Sequence, residues 1–217
     1  MLKARSFPGV ALLLLGCASS PAVPDDRMNF FITSEGPGNG AALGGIAGAD
    51  VHCAMLAQRA GSRGLLWRAY LSATATETTP AVNARDRIGS GPWYNYHRVL
   101  VARNLEELHG EASPLSKLVS LTERGDTVLG RGDTPNRHDI LTGSQADGRA
   151  YPAGADNTCN NWTSSGEGSA RVGHHDRQGG GEAPTSWNSA HGSRGCSQAN
   201  LQATGGNGLF YCFGISR

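Results

Sequence analysis

The sequence predicts an α+β domain stapled by disulfides, and three observations point there. Short apolar runs with aromatic and β-branched residues read as strands, and they are interspersed with stretches of helical periodicity. Gly is very frequent, 31 of 217 residues, while only 38% of the chain is hydrophobic, so loops are long and the core is limited. Cores of that kind usually need covalent help. Setting aside Cys17, near the N-terminus, four cysteines remain: Cys53, Cys159, Cys196 and Cys212. An even number in an oxidising compartment implies two bridges, and spacing alone leaves all three pairings open. None of the four is spaced C-x-x-C, which argues against a zinc–thiolate site. The net charge is +1 with no block of like charge, which excludes a basic nucleic-acid arm or a charged membrane-surface helix.

The N-terminus reads as an export signal. Lys3 and Arg5 precede an apolar run, Val10 to Leu15, that is too short to span a bilayer. It ends in Leu14-Leu15-Gly16-Cys17-Ala18, which resembles the lipobox of bacterial lipoproteins. The resemblance implies that residues 1–16 are a signal peptide and that Cys17 is acylated, which gives a stable membrane anchor. Ala18 stands where a retention signal would have Asp, which favours the outer membrane in a cell that has one. The alternative is an ordinary secretory signal cleaved nearby. Residues 17–27, small, polar and Pro-rich, form a tether, and residues 28–217 form one extracytoplasmic domain.

Within the domain, Met28–Thr33 reads as a strand. A Gly-rich loop follows, and Asp50 is placed to cap a helix running to Ala60. Cys53, Leu56, Ala57 and Ala60 recur at i, i+3, i+4 and i+7, so Cys53 lies on the buried face. Leu65–Ser72 reads as a strand, Pro80–Ile88 as a short helix, and Asn104 as the cap of a turn of helix over 105–109. Residues 121–129 are turns. His138–Thr142, Cys159–Thr163 and Leu209–Ile215 read as strands. Residues 164–207 are polar and Gly-rich, bracketed by Cys159 and Cys196. Long loops of that sort are usually functional or crosslinked.

Several segments then resemble a known group. GGIAGADVHCAMLAQRAG (44–61) followed by LLWRAYLS (65–72) is similar to the first helix and second strand of endostatin. The order of ILTGSQADGRA, DNTCNNWTS, SWNSAHGSRGC and GLFYCF resembles a bacterial group of secreted lectin-like domains of largely unassigned function. The resemblance implies a C-type-lectin-like (endostatin-like) fold: a mixed, mostly antiparallel sheet, two helices and a long loop region. It further implies the pairs Cys53–Cys212 and Cys159–Cys196. Fold does not fix ligand.

Ligand chemistry is read from the loop. Calcium-dependent lectins carry Trp-Asn-Asp before the third cysteine; here Trp187-Asn188-Ser189 lacks the carboxylate. Oxygens that calcium could recruit are Asp156, Asn157, Asn160, Asn161, Glu167, Asp176 and Asn188. His174, His175 and Asp176, with His191 in the same loop, suit zinc instead. Asn161, Trp162, His174, His175, Asp176, Trp187 and Asn188 are the expected glycan-binding residues, with rings stacking on sugars and amides bonding hydroxyls. A cell-surface protein is the alternative partner, through Arg124-Gly125-Asp126 or Arg131-Gly132-Asp133, although Gly-Asp is also common turn chemistry. A structural envelope role is the third reading. The chain carries no G-x-S-x-G elbow, its cysteines are committed to bridges, and no catalytic residues are expected.

Overall fold

The computed structural model describes Met1 and residues 28–216. Apart from Met1, the expected signal peptide, Cys17 and the tether lie outside the described residues. In chain order the elements are β1 (Phe30–Ile32), α1 (Gly45–Arg59), β2 (Leu65–Ala69), a 3-10 turn (Ala84–Arg87), β3 (Trp93–Tyr94), β4 (Leu100–Ala102), α2 (Leu105–His109), β5 (Asp139–Leu141), α3 (Cys159–Trp162), β6 (Arg171–His174), β7 (His191–Gly192), α4 (Gln198–Ala203) and β8 (Gly206–Ser216). The fold is α+β with a mostly antiparallel sheet and two disulfides. No helix among the described residues is long and apolar enough to cross a membrane.

The sheet is built around β8. Its C-terminal half pairs antiparallel with β1 and with β2, both reaching Cys212, and its N-terminal half pairs parallel with β5. β6 and β7 extend the sheet from β5, each antiparallel to its neighbour. Because side chains alternate along a strand, the FFI of β1 and the LFYCF of β8 are split between two cores. Phe31, Phe210 and Cys212 face α1, together with Trp67, Leu56 and Trp162. Phe30, Ile32, Leu209, Tyr211 and Phe213 face the other way, onto Tyr70, Trp93 and Trp187. Both faces are covered, so a nearly continuous apolar run is what such a strand requires.

Both disulfides join the first core. Cys53–Cys212 ties α1 to the last strand across 159 residues, and Cys159–Cys196 closes a 37-residue stretch. In chain-entropy terms the first restrains the unfolded chain by about 5 kcal/mol and the second by about 4.

Several local expectations are corrected. α1 begins at Gly45, behind Gly44 with φ 77°, and not at Asp50. Asp50 sits inside the helix and clamps it to the sheet. One oxygen accepts from Arg68 and Arg87, each at 2.7 Å, and the other from the Ala69 amide at 2.8 Å. Gly48 is required here, since a Cβ would stand 2.1 Å from the Leu43 carbonyl oxygen. The helix expected over 80–88 is a single 3-10 turn. Asn104 does cap α2, accepting from the Glu107 amide at 2.9 Å.

The strand expected over 159–163 is instead a left-handed turn, with φ of 48°, 52°, 52° and 69° from Cys159 to Trp162. L-residues disfavour this region, Asn least among those with a side chain. Tertiary bonds hold it. The Asp156 carboxylate accepts the Thr158 and Asn160 amides, the Thr158 hydroxyl accepts the Asn161 amide, and the Trp162 indole donates to the Ser72 carbonyl at 2.8 Å. The stretch expected to be loop from 164 to 207 contains β6, β7 and α4. Ser197 caps α4 by accepting from the Asn200 amide at 3.2 Å.

Candidate metal centre

Strand register gathers one cluster of chemistry. Asp139 lies directly opposite His174 across β5 and β6, and His191 lies opposite Val172 across β6 and β7. Val172 and His174 are two residues apart, so Asp139, His174 and His191 project from the same face. His138, at the entrance to β5, adds a fourth group. Its ring stacks on His174 with centroids 4.2 Å apart and planes 8° from parallel. The His191 ring meets His174 edge-on at 5.0 Å.

One atom is the focus. Asp139 Oδ1 lies 3.2 Å from His138 Nε2, 3.4 Å from His174 Nε2 and 3.5 Å from His191 Nε2. Asp139 is 2% exposed, yet neither of its oxygens has a hydrogen-bond partner, and His174 Nε2 has none either. The nitrogens converge on the carboxylate without the alignment that a hydrogen bond needs. Unpartnered buried polar atoms are costly and call for a reason. Donor atoms of His138, Asp139 and His174 all lie within 4.8 Å of one another, the one such group of His, Cys, Asp or Glu among the described residues. His191 stands outside that set, at the solvent side, with its side chain 20% exposed.

The outer nitrogens of His174 and His191 are also fixed. His174 Nδ1 meets the Pro184 carbonyl at 2.8 Å and His191 Nδ1 the Gly192 carbonyl at 3.0 Å. A carbonyl can only accept, so both Nδ1 atoms carry the proton and, in the neutral rings, both Nε2 atoms present lone pairs to Asp139. His138 Nδ1 is 3.4 Å from Asp176 Oδ1, close enough to feel its charge but without a hydrogen bond. Asp176 is itself anchored, accepting the Arg131 amide at 2.6 Å and the Gln178 amide at 3.1 Å. Outer partners of this kind orient the imidazoles of metal sites. Burial pushes the Asp139 carboxyl up, but the imidazoles of His174, His191 and His138 outweigh it and hold it below the usual carboxylate range. Burial likewise opposes ionisation of Asp176, and His138 with the two amides overcomes it. The His191 imidazole is pushed up, chiefly by Asp139. Both carboxylates are therefore anionic at neutral pH.

The expected site residues are distributed differently. His174 and His191 enter the cluster and Asp176 stands behind it. His175 does not join: its ring is buried elsewhere, with Nε2 on the Leu129 carbonyl at 3.1 Å. Trp162 and Trp187 are core residues, 0% and 3% exposed, so neither ring face reaches solvent for a sugar to stack on. The Asn161 side chain is bonded to both the amide and the carbonyl of Thr74. The Asn188 amide nitrogen donates to the Tyr70 hydroxyl and to the Gln145 and Ala146 carbonyls, and its oxygen accepts from the Ser186 hydroxyl at 3.2 Å. Asp156 is occupied by backbone amides. Arg124-Gly125-Asp126 does form an exposed turn, and its two charged side chains pair with each other at 3.3 Å. In the second triplet Asp133 is held at 2.5 Å by Lys117 and at 2.6 Å by the Gly130 amide.

His138 and Asp139 carry the centre and were absent from the expected ligands. They were visible only as sequence neighbours at the start of a strand. The signal that could have found them is the repeat of adjacent His and Asp at 138–139 and 175–176. No known family model matches the chain, and no curated protein is similar to it.

Proposed function

We propose that this chain is a lipid-anchored, extracytoplasmic domain of C-type-lectin-like fold that binds a divalent transition metal, zinc by preference, through His138, Asp139 and His174. The fold reading is supported by a first helix bridged to the last strand and a second bridge closing the long-loop region. The metal reading is carried by one observation: a buried carboxylate oxygen without a hydrogen bond, surrounded by imidazole nitrogens. Zinc bonds of 2.0–2.1 Å in a tetrahedron place neighbouring ligand atoms about 3.3 Å apart. The two contacts to Asp139, 3.2 and 3.4 Å, are close to that edge, while the rings of His138 and His174, 8° from parallel, would have to turn toward each other to share an ion. The donor set of imidazole and carboxylate suits zinc and not calcium, which needs six or more oxygens.

Glycan binding, the first expectation, loses its aromatic platform because both tryptophans are inside. The test is zinc titration of the disulfide-bonded protein by calorimetry, with any unpaired thiol alkylated. One zinc per chain is expected, with affinity reduced at least about 100-fold in Asp139→Asn and in His174→Gln, both retaining the wild-type circular dichroism. A folded protein that ignores micromolar zinc would remove the proposal.

A further inference from the structure

We propose that the metal at this centre keeps one coordination position open and binds an oxyanion there, recognised by Arg131. This rests on the metal reading above. A cleft of about 530 Å³ opens onto the imidazoles of His138, His174 and His191, and its wall includes Arg131, Asn136 and Thr204.

Coordination number comes first. Three protein donors share the 4.8 Å neighbourhood, all three residues are buried, and two of them, His138 and His174, line the cleft. Three ligands plus a free position is the arrangement of zinc sites that exchange ligands, whereas structural sites close with four. His191 stays at the mouth with its Nδ1 turned to Gly192 and its Nε2 turned inward. There it stands beside the fourth position and does not occupy it.

The rim is shaped to leave that position accessible. Gly179, Gly180 and Gly181 pass over the rings as bare backbone. A Cβ on Gly179 would stand 2.5 Å from His174 Cε1, and one on Gly181 2.9 Å from His191 Cδ2, while one on Gly180 would meet nothing within 4 Å. Backbone thus flanks the imidazoles at close range without a side chain plugging the opening.

Charge then selects the ligand. Asp139, the one carboxylate among the three donors, neutralises only one of the two charges of a divalent ion, and no carboxylate lines the cleft itself. The Arg131 side chain is exposed in that cleft, and its guanidinium makes no ion pair among the described residues. Its root is fixed, because its amide donates to the same Asp176 carboxylate that flanks His138. A guanidinium fork facing a cation-bearing floor fits a planar or tetrahedral oxyanion, carboxylate or phosphate, better than a neutral hydroxyl.

The test uses cobalt(II) in place of zinc, because its visible d–d bands report coordination. The cobalt-loaded protein is titrated separately with inorganic phosphate and with acetate, which distinguishes the two sources of the shared chemistry. At least one should shift the bands saturably. Arg131→Ala should weaken that anion by at least about tenfold while leaving cobalt affinity unchanged. His191→Ala should change cobalt affinity by less than about threefold, as expected of a group outside the metal's ligand shell. Bands that form but ignore both anions, or a His191→Ala protein that loses cobalt as Asp139→Asn does, would overturn the open position. Unaltered anion affinity in Arg131→Ala would overturn its role. Failure of cobalt to give bands in the wild-type protein would be a failure of the metal reading itself.

Discussion

Two buried polar clusters of this domain contain histidine, and they are finished differently. Around Asn188 every group is matched. Its amide nitrogen reaches Tyr70, Gln145 and Ala146, its oxygen accepts from the Ser186 hydroxyl, and Tyr70 meets His109 Nε2 at 2.7 Å while His109 Nδ1 meets the Leu105 carbonyl. Around Asp139 the inner atoms are left without hydrogen bonds, and only the outer nitrogens of His174 and His191 are anchored. A satisfied network specifies a core. A cluster anchored from outside and open within is organised for something that arrives later. Burial alone does not separate the two, since Asn188 is 1% exposed and Asp139 2%.

The contrast breaks most readily on metal affinity. Asp139→Asn should lower zinc affinity at least about 100-fold, whereas Asn188→Ala should leave it within about twofold, as calorimetry would show. Equal losses would mean that the two clusters are one structural unit. The next effect is on stability, measured by urea unfolding without metal at pH 8. Asn188→Ala strands two carbonyls and a hydroxyl and should cost about 2–4 kcal/mol. Asp139→Asn replaces a buried carboxylate that accepts no hydrogen bond and should cost less, under about 1 kcal/mol. A larger cost for Asp139→Asn would show that its carboxylate serves the fold before it serves a ligand.

Legibility in the sequence follows the same division. The central strands, the buried face of α1 and the cap of α2 were readable, because each is a local pattern: FFI, Cys53 with Leu56 and Ala57, Asn104 before Leu105. The pairing of the cysteines came from resemblance, and the two bridges have the connectivity it implied. The stretch from 164 to 207 was not readable. β6 and β7 are short, interrupted by Gly173 and Gly192, and without an apolar alternation, so nothing local marks them as strands. Without them the register that sets Asp139 against His174 and brings His191 alongside is invisible, and His174 and His175 look equivalent. The left-handed turn at Cys159–Trp162 escaped for a related reason: its bonds come from Asp156, Thr158 and, across 90 residues, Ser72.

Asp176→Asn tests whether the outer anchoring matters. Asp176 faces the His138 nitrogen that points away from Asp139, and partners in that position contribute about 10- to 100-fold in metal affinity. The asparagine can keep an acceptor for the Arg131 amide, so the loop should hold while zinc binding weakens. If zinc affinity is unaltered, His138 is oriented by packing on His174 alone, and the carboxylate behind it is structural.

The smallest effect is in pH dependence of the metal-free protein, where the two clusters should act in opposite directions. Asp139 pushes the His191 imidazole above its ordinary pKa of about 6.5. Its contribution is therefore fully present below that value and is lost as pH rises through the higher folded-state pKa. Burial pushes His109 below the same reference. It folds neutral, so its contribution is present above about pH 6.5 and is lost as pH falls through that value towards its lower folded-state pKa. Urea midpoints between pH 5 and 8 should thus fall with rising pH less steeply in His191→Gln, and fall with decreasing pH less steeply in His109→Gln. His191 is partly exposed, so its share is reduced by solvent screening. Should both variants flatten the same limb of the profile, the Asp139 carboxylate is not interacting with His191 in solution, and the open cluster is built from His138 and His174 alone.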